Sequence, residues 1–341
     1  MSDRQFNVAV AGATGAVGEA MLAILEQRDF PINRLHLLAS SRSAGKTINF
    51  RGEPITVEDL DQFDFSDVDI GLFSAGGSVS EVHAPRAAAA GCVVVDNTSQ
   101  FRLDPDIPLV VPEVNAAAIA EYKTRGIIAN PNCSTIQMVV ALQPIHDAVG
   151  IERVNVCTYQ AVSGTGKLAI EELLQQSRAV LAGQAVETAV YPRQIAFNAL
   201  PHIDKFQDNG YTKEEMKMVW ETQKILANDA IRINPTTVRI PVVYGHSEAV
   251  HIETTDKISA IEVRELLANS AGMTVLDDRG DGGYPTAATD ADGQDDVFVG
   301  RIRDDISHPH GIDLWVVSDN VRKGAALNSI QIAEILVKDY L

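Results

Sequence analysis

The chain has 341 residues, enough for about two domains. Hydrophobic residues make up 45% and charged residues 22%, ordinary values for a soluble globular protein, and no apolar run reaches the roughly 18 residues that a membrane span needs. Asp and Glu outnumber Lys and Arg 46 to 28, and the net charge of −18 argues against nonspecific nucleic-acid binding.

The first ~130 residues alternate short apolar strands with helical patterns, which implies right-handed βαβ units on a parallel sheet. FNVAVAG reads as a strand and GAVGEAMLAILEQ as the helix after it. Between them Gly12, Gly15 and Gly18 stand at GxxGxxG spacing, with Thr14, Ala16 and Val17 in the same turn. Glycines there permit a tight turn, and the helix N-terminus offers free N–H groups to a pyrophosphate. A plain glycine-rich turn has the same local pattern. The next strand, LHLLAS, ends in Ser40, Ser41, Arg42 and Ser43. Hydroxyls and a guanidinium suit a 2′-phosphate, which favours NADP over NAD. A further strand, DIGLFSA, ends in a second glycine turn with Ser74 and Gly76, followed by an Ala-rich helix and the strands VVVDNTS and IIANP.

Beyond residue ~150 the texture changes. VNVCTYQAVS, TTVRIPVVYGHSEAVHIET and DLWVVSDN read as long strands, with helices near 167–182, 212–228 and 259–268 between them. The expected fold class is therefore α/β. A Rossmann-like dinucleotide-binding domain with a parallel sheet takes residues 1–130 plus 320–341, and a second α+β domain with a mixed sheet takes 131–319. Residues 277–296, rich in Gly and Asp, read as a solvated loop; the glycine and glutamate that an EF-hand requires are missing.

The three cysteines have no framework spacing, so free thiols in a reducing compartment are expected. Neither CxxC nor HExxH occurs, and no metal is expected. No secretory signal is recognisable, which makes the cytoplasm the expected compartment. Cys92 and Cys157 lie in apolar strand patterns. Cys133, in NPNCSTIQMV, falls where a strand gives way to a helix, so its thiol faces the positive end of a helix dipole. Packing in the turn is the competing explanation. A reactive thiolate needs an acid/base partner, and His246, in RIPVVYGHSEA with Arg239 seven residues earlier, is the candidate among eight histidines. His36 reads as structural and the pair His308/His310 as a turn. In YTKEEMKMVW, Thr212 and Glu215 form a capping box. Glu214 and Lys217 then share a helix face, as an exposed ion pair or as a polar pair facing a substrate. Arg102, in NTSQFR, lies after a strand end. Thiol, imidazole and cations beside a nicotinamide define a reaction class: a thioester formed from an aldehyde, passed on to water or phosphate.

GATGAVG, SSRSAGK, SAGG, NTSQFR, NPNCST, YQAVSGTG, the EExK helix and RIPVVYGHSEA occur in the order found in the bacterial aspartate-semialdehyde dehydrogenases, which the chain resembles over nearly its whole length. The resemblance implies reductive dephosphorylation of L-4-aspartyl phosphate by NADPH to L-aspartate 4-semialdehyde and phosphate, on the way to diaminopimelate and lysine, methionine, threonine and isoleucine. It implies Cys133 as nucleophile, His246 as acid/base and Gln160 as the residue orienting the acyl intermediate. Arg239 would bind the substrate carboxylate, Glu214 its amino group, and Arg102, Asn132 and Lys217 the phosphate. Ser163 and Gly164 would lie near the nicotinamide, and Asn320 would touch the cofactor. The second domain would be both catalytic and dimerising, in a homodimer or dimer of dimers. N-acetyl-γ-glutamyl-phosphate reductase shares the chemistry, and a glyceraldehyde-phosphate-type dehydrogenase is a more distant alternative.

Overall fold

The computed structural model describes residues 4–341. The chain divides into two compact units, one running up to Asn132 and including Ala325–Leu341, the other Cys133–Gly324.

The first unit contains β1 (Phe6–Ala11), α1 (Ala16–Gln27), β2 (Ile32–Ala39), β3 (Thr47–Phe50), β4 (Glu53–Asp59), β5 (Ile70–Phe73), α2 (Gly77–Ala89), β6 (Val93–Asp96), α3 (Pro112–Asn115) and β7 (Ile127–Ala129). Its sheet has the order β3-β4-β2-β1-β5-β6-β7. All neighbours are parallel except the β3–β4 hairpin. Counting the parallel strands alone, the order is 3-2-1-4-5-6, with the reversal between β1 and β5, where dinucleotides bind in such folds. β5, β6 and β7 are buried throughout and β1 nearly so, because helices cover both faces. The sequence reading has no β3–β4 hairpin. Its residues are mostly exposed at a sheet edge and carry no apolar run.

The helix Leu327–Asp339 completes this unit. Leu327, Ile330, Ala333 and Leu336 join Met21, Ile24 and Leu25 of α1 in one buried cluster. The chain was expected to return at residue 320, but the division falls at Ala325. Asn320 is tied to the second unit through Ser163 and the Gly245 N–H, and a Cβ on Gly324 would come within 2.7 Å of the Cβ of Cys133.

The second unit contains α4 (Cys133–Val149), β8 (Ile151–Gln160), α5 (Lys167–Leu181), α6 (Lys213–Ile225), β9 (Arg232–Arg239), β10 (His246–Thr254), α7 (Ala260–Ala268), β11 (Met273–Val275), β12 (Val297–Asp304) and β13 (Gly311–Ser318). The sheet order is β11-β12-β13-β10-β8-β9. It is mixed: β8–β9 and β11–β12 are parallel and the other pairs antiparallel. Burial alternates along β8, β10 and the first part of β13. His246, Glu248, Val250 and Ile252 are buried on the face that α4 covers. Cys157, Tyr159, Ala249, His251 and Trp315 stand half-buried on the other.

Three expectations need correcting. The stretch TTVRIPVVYGHSEAVHIET is two strands, broken over 240–245, where Pro241 lacks a ladder N–H and Gly245 takes φ +86°. Cys92 precedes β6 instead of lying in it, although it is buried as expected. The 277–296 stretch is partly packed: Ala287–Ala291 forms a π-helical turn with Ala287 and Ala291 buried, and Trp315 Nε1 donates to the Pro285 carbonyl. The Thr212–Glu215 capping box forms as expected, and Glu215 also accepts from the Thr237 N–H, joining α6 to β9.

Candidate active site

The first unit presents its two glycine turns at the carboxyl edge of β1 and β5. Gly12 takes φ +89°, and a Cβ there would come within 2.9 Å of the Ser74 backbone. A Cβ on Gly18 would run into the Gly12 carbonyl, so α1 lies against the turn only because residue 18 is glycine. Gly15 and Gly76 are the N-caps of α1 and α2, and neither helix is closed by a side-chain cap. Thr14, Ala16 and Val17 complete the first turn, leaving backbone N–H groups and the helix dipole as the anion-binding chemistry. Ser40, Ser41, Arg42 and Ser43 lie after β2, folded by the Ser43 N–H donating to the Ser40 carbonyl, with Ser40, Ser41 and Arg42 exposed. The sequence reading missed one carboxylate at this edge. Asp59 ends β4 in register with Ala39, and its Oδ1 accepts from the Asp61 N–H.

Arg102 and Asn132 also belong to the first unit, and both are buried. Arg102 Nη2 donates to the Asn97 carbonyl at 2.8 Å. A ladder of amides that the sequence reading missed runs beside it. Asn328 Nδ2 donates to Asn130 Oδ1 at 2.7 Å, Asn130 Nδ2 to Asn97 Oδ1 at 2.9 Å, and Asn97 Nδ2 to Ser329 Oγ at 2.7 Å. The ladder fixes the end of β7 just ahead of Pro131, Asn132 and Cys133.

In the second unit Cys133 is the first residue of α4, as expected from its place after a strand. Its Sγ lies 3.2 Å from His246 Nε2. The other ring nitrogen, Nδ1, accepts from the Ala161 N–H at 3.0 Å, so the neutral ring carries its proton on Nε2, facing the sulfur. Arg239 Nη1 donates to the Ala161 carbonyl at 2.6 Å, so the backbone of one residue, through its N–H and its carbonyl, orients both side chains. Burial, and then the Arg239 charge, push the His246 pKa down to about 3, against an opposing pull from Glu214. The imidazole is therefore neutral near pH 7. Burial raises the thiols of Cys92 and Cys157 above their ordinary values.

A second polar group adjoins the pair. Gln160, buried at the end of β8, donates Nε2 to Glu214 Oε1 at 3.0 Å and accepts from Thr158 Oγ1 at 3.0 Å. Glu214 Oε2 takes Lys217 Nζ at 3.0 Å, and Lys217 also reaches Asp204 Oδ2 at 2.9 Å. Glu214 and Lys217 are thus a largely buried pair and not an exposed one. Burial works against the Lys217 charge, but Glu214 and Asp204 outweigh it and hold its pKa above the ordinary lysine value. Asp204 escaped the sequence reading because it lies thirteen residues away on an irregular segment. Gly164 leaves room for the cluster: a Cβ would sit 3.2 Å from Arg239 Nη1 and 3.5 Å from His246 Nε2. Ser163 Oγ and Asn320 bond each other at 3.0–3.1 Å, and Asn320 Oδ1 also accepts from the Gly245 N–H. Nine of the expected site residues are thus collected in this one unit.

Two family models match the chain: the semialdehyde dehydrogenase NAD binding domain over residues 7–122 and the semialdehyde dehydrogenase dimerisation domain over residues 142–323. An aspartate-semialdehyde dehydrogenase of Legionella pneumophila is 63% identical over 99% of this chain and 97% of its own length. The chain belongs to the aspartate-semialdehyde dehydrogenases. Aspartate-semialdehyde dehydrogenase 2 of Vibrio cholerae is 61% identical, with 99% of each chain covered. A crystal structure of aspartate semialdehyde dehydrogenase II from Vibrio cholerae, complexed with ASA, superposes with a TM-score of 0.97 at 60% identity, covering 99% of this chain and 100% of that one. An aspartate semialdehyde dehydrogenase from Candida albicans, with NADP, gives a TM-score of 0.77 at 27% identity, covering 98% of this chain and 99% of that one.

Family membership makes this chain an oxidoreductase of amino-acid biosynthesis with a nicotinamide-nucleotide domain and a self-associating second domain. It disfavours the two alternative dehydrogenases raised by the chemistry alone. Among the described residues, no helix is long and apolar enough to cross a membrane. His308 and His310 have their rings 6.4 Å apart, with His310 Nδ1 facing the Thr254 and Thr255 carbonyls. That is a turn contact, as expected.

Proposed function

We propose that this chain converts L-4-aspartyl phosphate to L-aspartate 4-semialdehyde and phosphate, using NADPH, through a thioester on Cys133. The observation that carries the reading is the 3.2 Å approach of Cys133 Sγ to the Nε2–H of a buried, neutral His246. The thiolate attacks the acyl carbon, the bond from that carbon to the phosphate oxygen breaks, and phosphate leaves. NADPH, when bound, supplies the hydride that reduces the acyl group. The C–S bond then breaks, freeing the aldehyde and returning the thiolate. His246, the acid/base, presents Nε2–H to the oxyanion of each tetrahedral adduct and to the departing sulfur. Gln160, braced by Thr158 and Glu214, orients the acyl group. Arg239 clamps the substrate carboxylate, and Glu214 takes its amino group. Arg102, Asn132 and Lys217 serve as phosphate ligands; Lys217 keeps its charge between two carboxylates.

The uncapped starts of α1 and α2 fit a pyrophosphate, and Gly12, Thr14, Gly15, Ala16, Val17, Gly18, Ser74 and Gly76 would line it. Ser40, Ser41, Arg42 and Ser43 would take the 2′-phosphate. Ser163, Gly164 and Asn320 would lie on the nicotinamide side. Arg42→Ala is expected to raise the KM for NADPH about tenfold while leaving that for NADH within twofold, measured in parallel steady-state assays. Equal losses with both nucleotides would remove Arg42 from the 2′-phosphate site.

The half-buried sheet face bearing Tyr159, Ala249, His251 and Trp315 is proposed as the surface that a second copy covers in a homodimer, alone or within a dimer of dimers. The cytoplasm is the proposed compartment, since three free thiols suit reducing conditions. The function is tested in the oxidative direction with aspartate semialdehyde, phosphate and NADP, beside N-acetylglutamate semialdehyde. Turnover confined to the second aldehyde overturns the substrate, and turnover independent of phosphate overturns the acyl-phosphate chemistry.

A further inference from the structure

One buried ionisable group near the reactive pair has no part in the chemistry above. Glu248 stands on β10 two residues beyond His246, so both side chains point to the face that α4 covers. Gln137 stands on α4 four residues beyond Cys133, one turn along the same helix face. Four helical residues advance about 6 Å and two strand residues about 6.6 Å, so the two rows keep step. The pair Gln137–Glu248 is the row behind the pair Cys133–His246.

Glu248 is fully inaccessible and Gln137 nearly so. Gln137 is the polar group facing the carboxyl, although neither side chain closes a hydrogen bond of normal geometry. Across the sheet, the neighbours of Glu248 are Thr158 on β8 and Val316 on β13, neither of them charged. Cys133 and His246, in the next row, are the titratable groups on that face of α4 and β10. A valine or leucine would fill such a position without burying an unpaired carboxyl, so the carboxyl needs a reason.

We propose that Glu248 is a positioning residue for Cys133: a neutral carboxyl that engages Gln137 across the α4–β10 contact and holds the start of the helix where Sγ meets His246 Nε2. Burial pushes the Glu248 pKa well above the ordinary carboxylate range, and no described cation bears on it. The neutral form is an O–H donor matched to the Gln137 carboxamide oxygen. Neutrality also matters to the thiolate, because a carboxylate one row away would raise the thiol pKa by roughly one to two units.

This inference rests on Cys133 as the nucleophile. It is tested with Glu248→Gln, which keeps shape and neutrality, and Glu248→Leu, which removes the polar contact. Two quantities are read in each: the pH dependence of Cys133 alkylation by iodoacetamide, followed on the Cys133 peptide by mass spectrometry, and kcat and KM for aspartate semialdehyde. Glu248→Gln is expected to keep the alkylation midpoint within about 0.3 pH unit and kcat within about threefold. Glu248→Leu is expected to raise the midpoint by at least about 0.5 unit and to lower kcat at least about tenfold, with KM within about threefold. A midpoint that falls by about a unit in Glu248→Gln means the carboxyl is charged, which overturns the inference. So does wild-type behaviour in Glu248→Leu, or a tenfold loss of kcat in Glu248→Gln. If Glu248→Leu does not fold, Glu248→Gln decides alone. Alkylation does not depend on the substrate, so a wrong substrate assignment leaves this readout standing, whereas a Cys133→Ser protein that still turns over removes the premise.

Discussion

Cys133→Ser is expected to lower kcat for aspartate semialdehyde oxidation at least about 10³-fold, with KM within a few-fold. The serine hydroxyl keeps the place and the hydrogen bond to His246. What it loses is ionisation: a thiol at a helix start, facing an N–H donor, gives up its proton far more readily than a hydroxyl in the same place. Steady-state kinetics and a single-turnover acylation assay with an acyl phosphate separate the steps. Acylation should vanish along with turnover. Full-rate turnover in the serine protein would remove Cys133 from the chemistry.

The second large effect is expected from His246→Asn. Loss of the proton-handling ring should cost about 10²–10⁴-fold in kcat. A separate effect appears in stability. The folded-state pKa of His246 lies near 3, below the ordinary 6.5 of an exposed imidazole. Between those values the unfolded chain binds a proton that the folded chain refuses. Above pH 6.5 the group has no effect; as pH falls below it, His246 costs stability at up to about 1.4 kcal/mol per pH unit. The loss in unfolding free energy between pH 7.5 and 5 should therefore be smaller in His246→Asn by about 2 kcal/mol, as read by urea denaturation. An identical pH dependence in both proteins would mean that the imidazole has the same pKa folded as unfolded, and burial would not then hold it neutral.

The parts of this site legible in the sequence are those whose local chemistry is self-contained. Gly12 and Gly18 announce themselves because backbone packs where a Cβ would be. Cys133 announces itself because a strand ending in Pro131 must give way to a helix at that point. The Thr212–Glu215 box lies within four residues and forms as written. What stayed hidden depends on contacts distant in sequence. Nothing near Gln160 shows that Glu214 will accept from it across 54 positions, or that Asp204 will share Lys217. Ala161 is invisible by side chain, since its N–H and carbonyl do the orienting. The β3–β4 hairpin and β12 were missed for a different reason: β3 and β4 are short, mostly exposed edge strands, and β12 follows an acidic stretch that reads as a loop.

The amide ladder at the end of β7 carries a consequence for the order in which the enzyme is made. Asn97 and Asn130 are synthesised early, but their partners Ser329 and Asn328 lie in the last helix, beyond the whole second unit. The strand end leading into Cys133 therefore stays unclamped while the ribosome is still translating. Apolar residues such as Met21 and Leu25 wait equally long for Leu327 and Ile330 to cover them. The first unit is thus closed only after the second has been made, and a nascent chain that has not yet reached Asn328 and Ser329 would carry Cys133 behind an unclamped strand end.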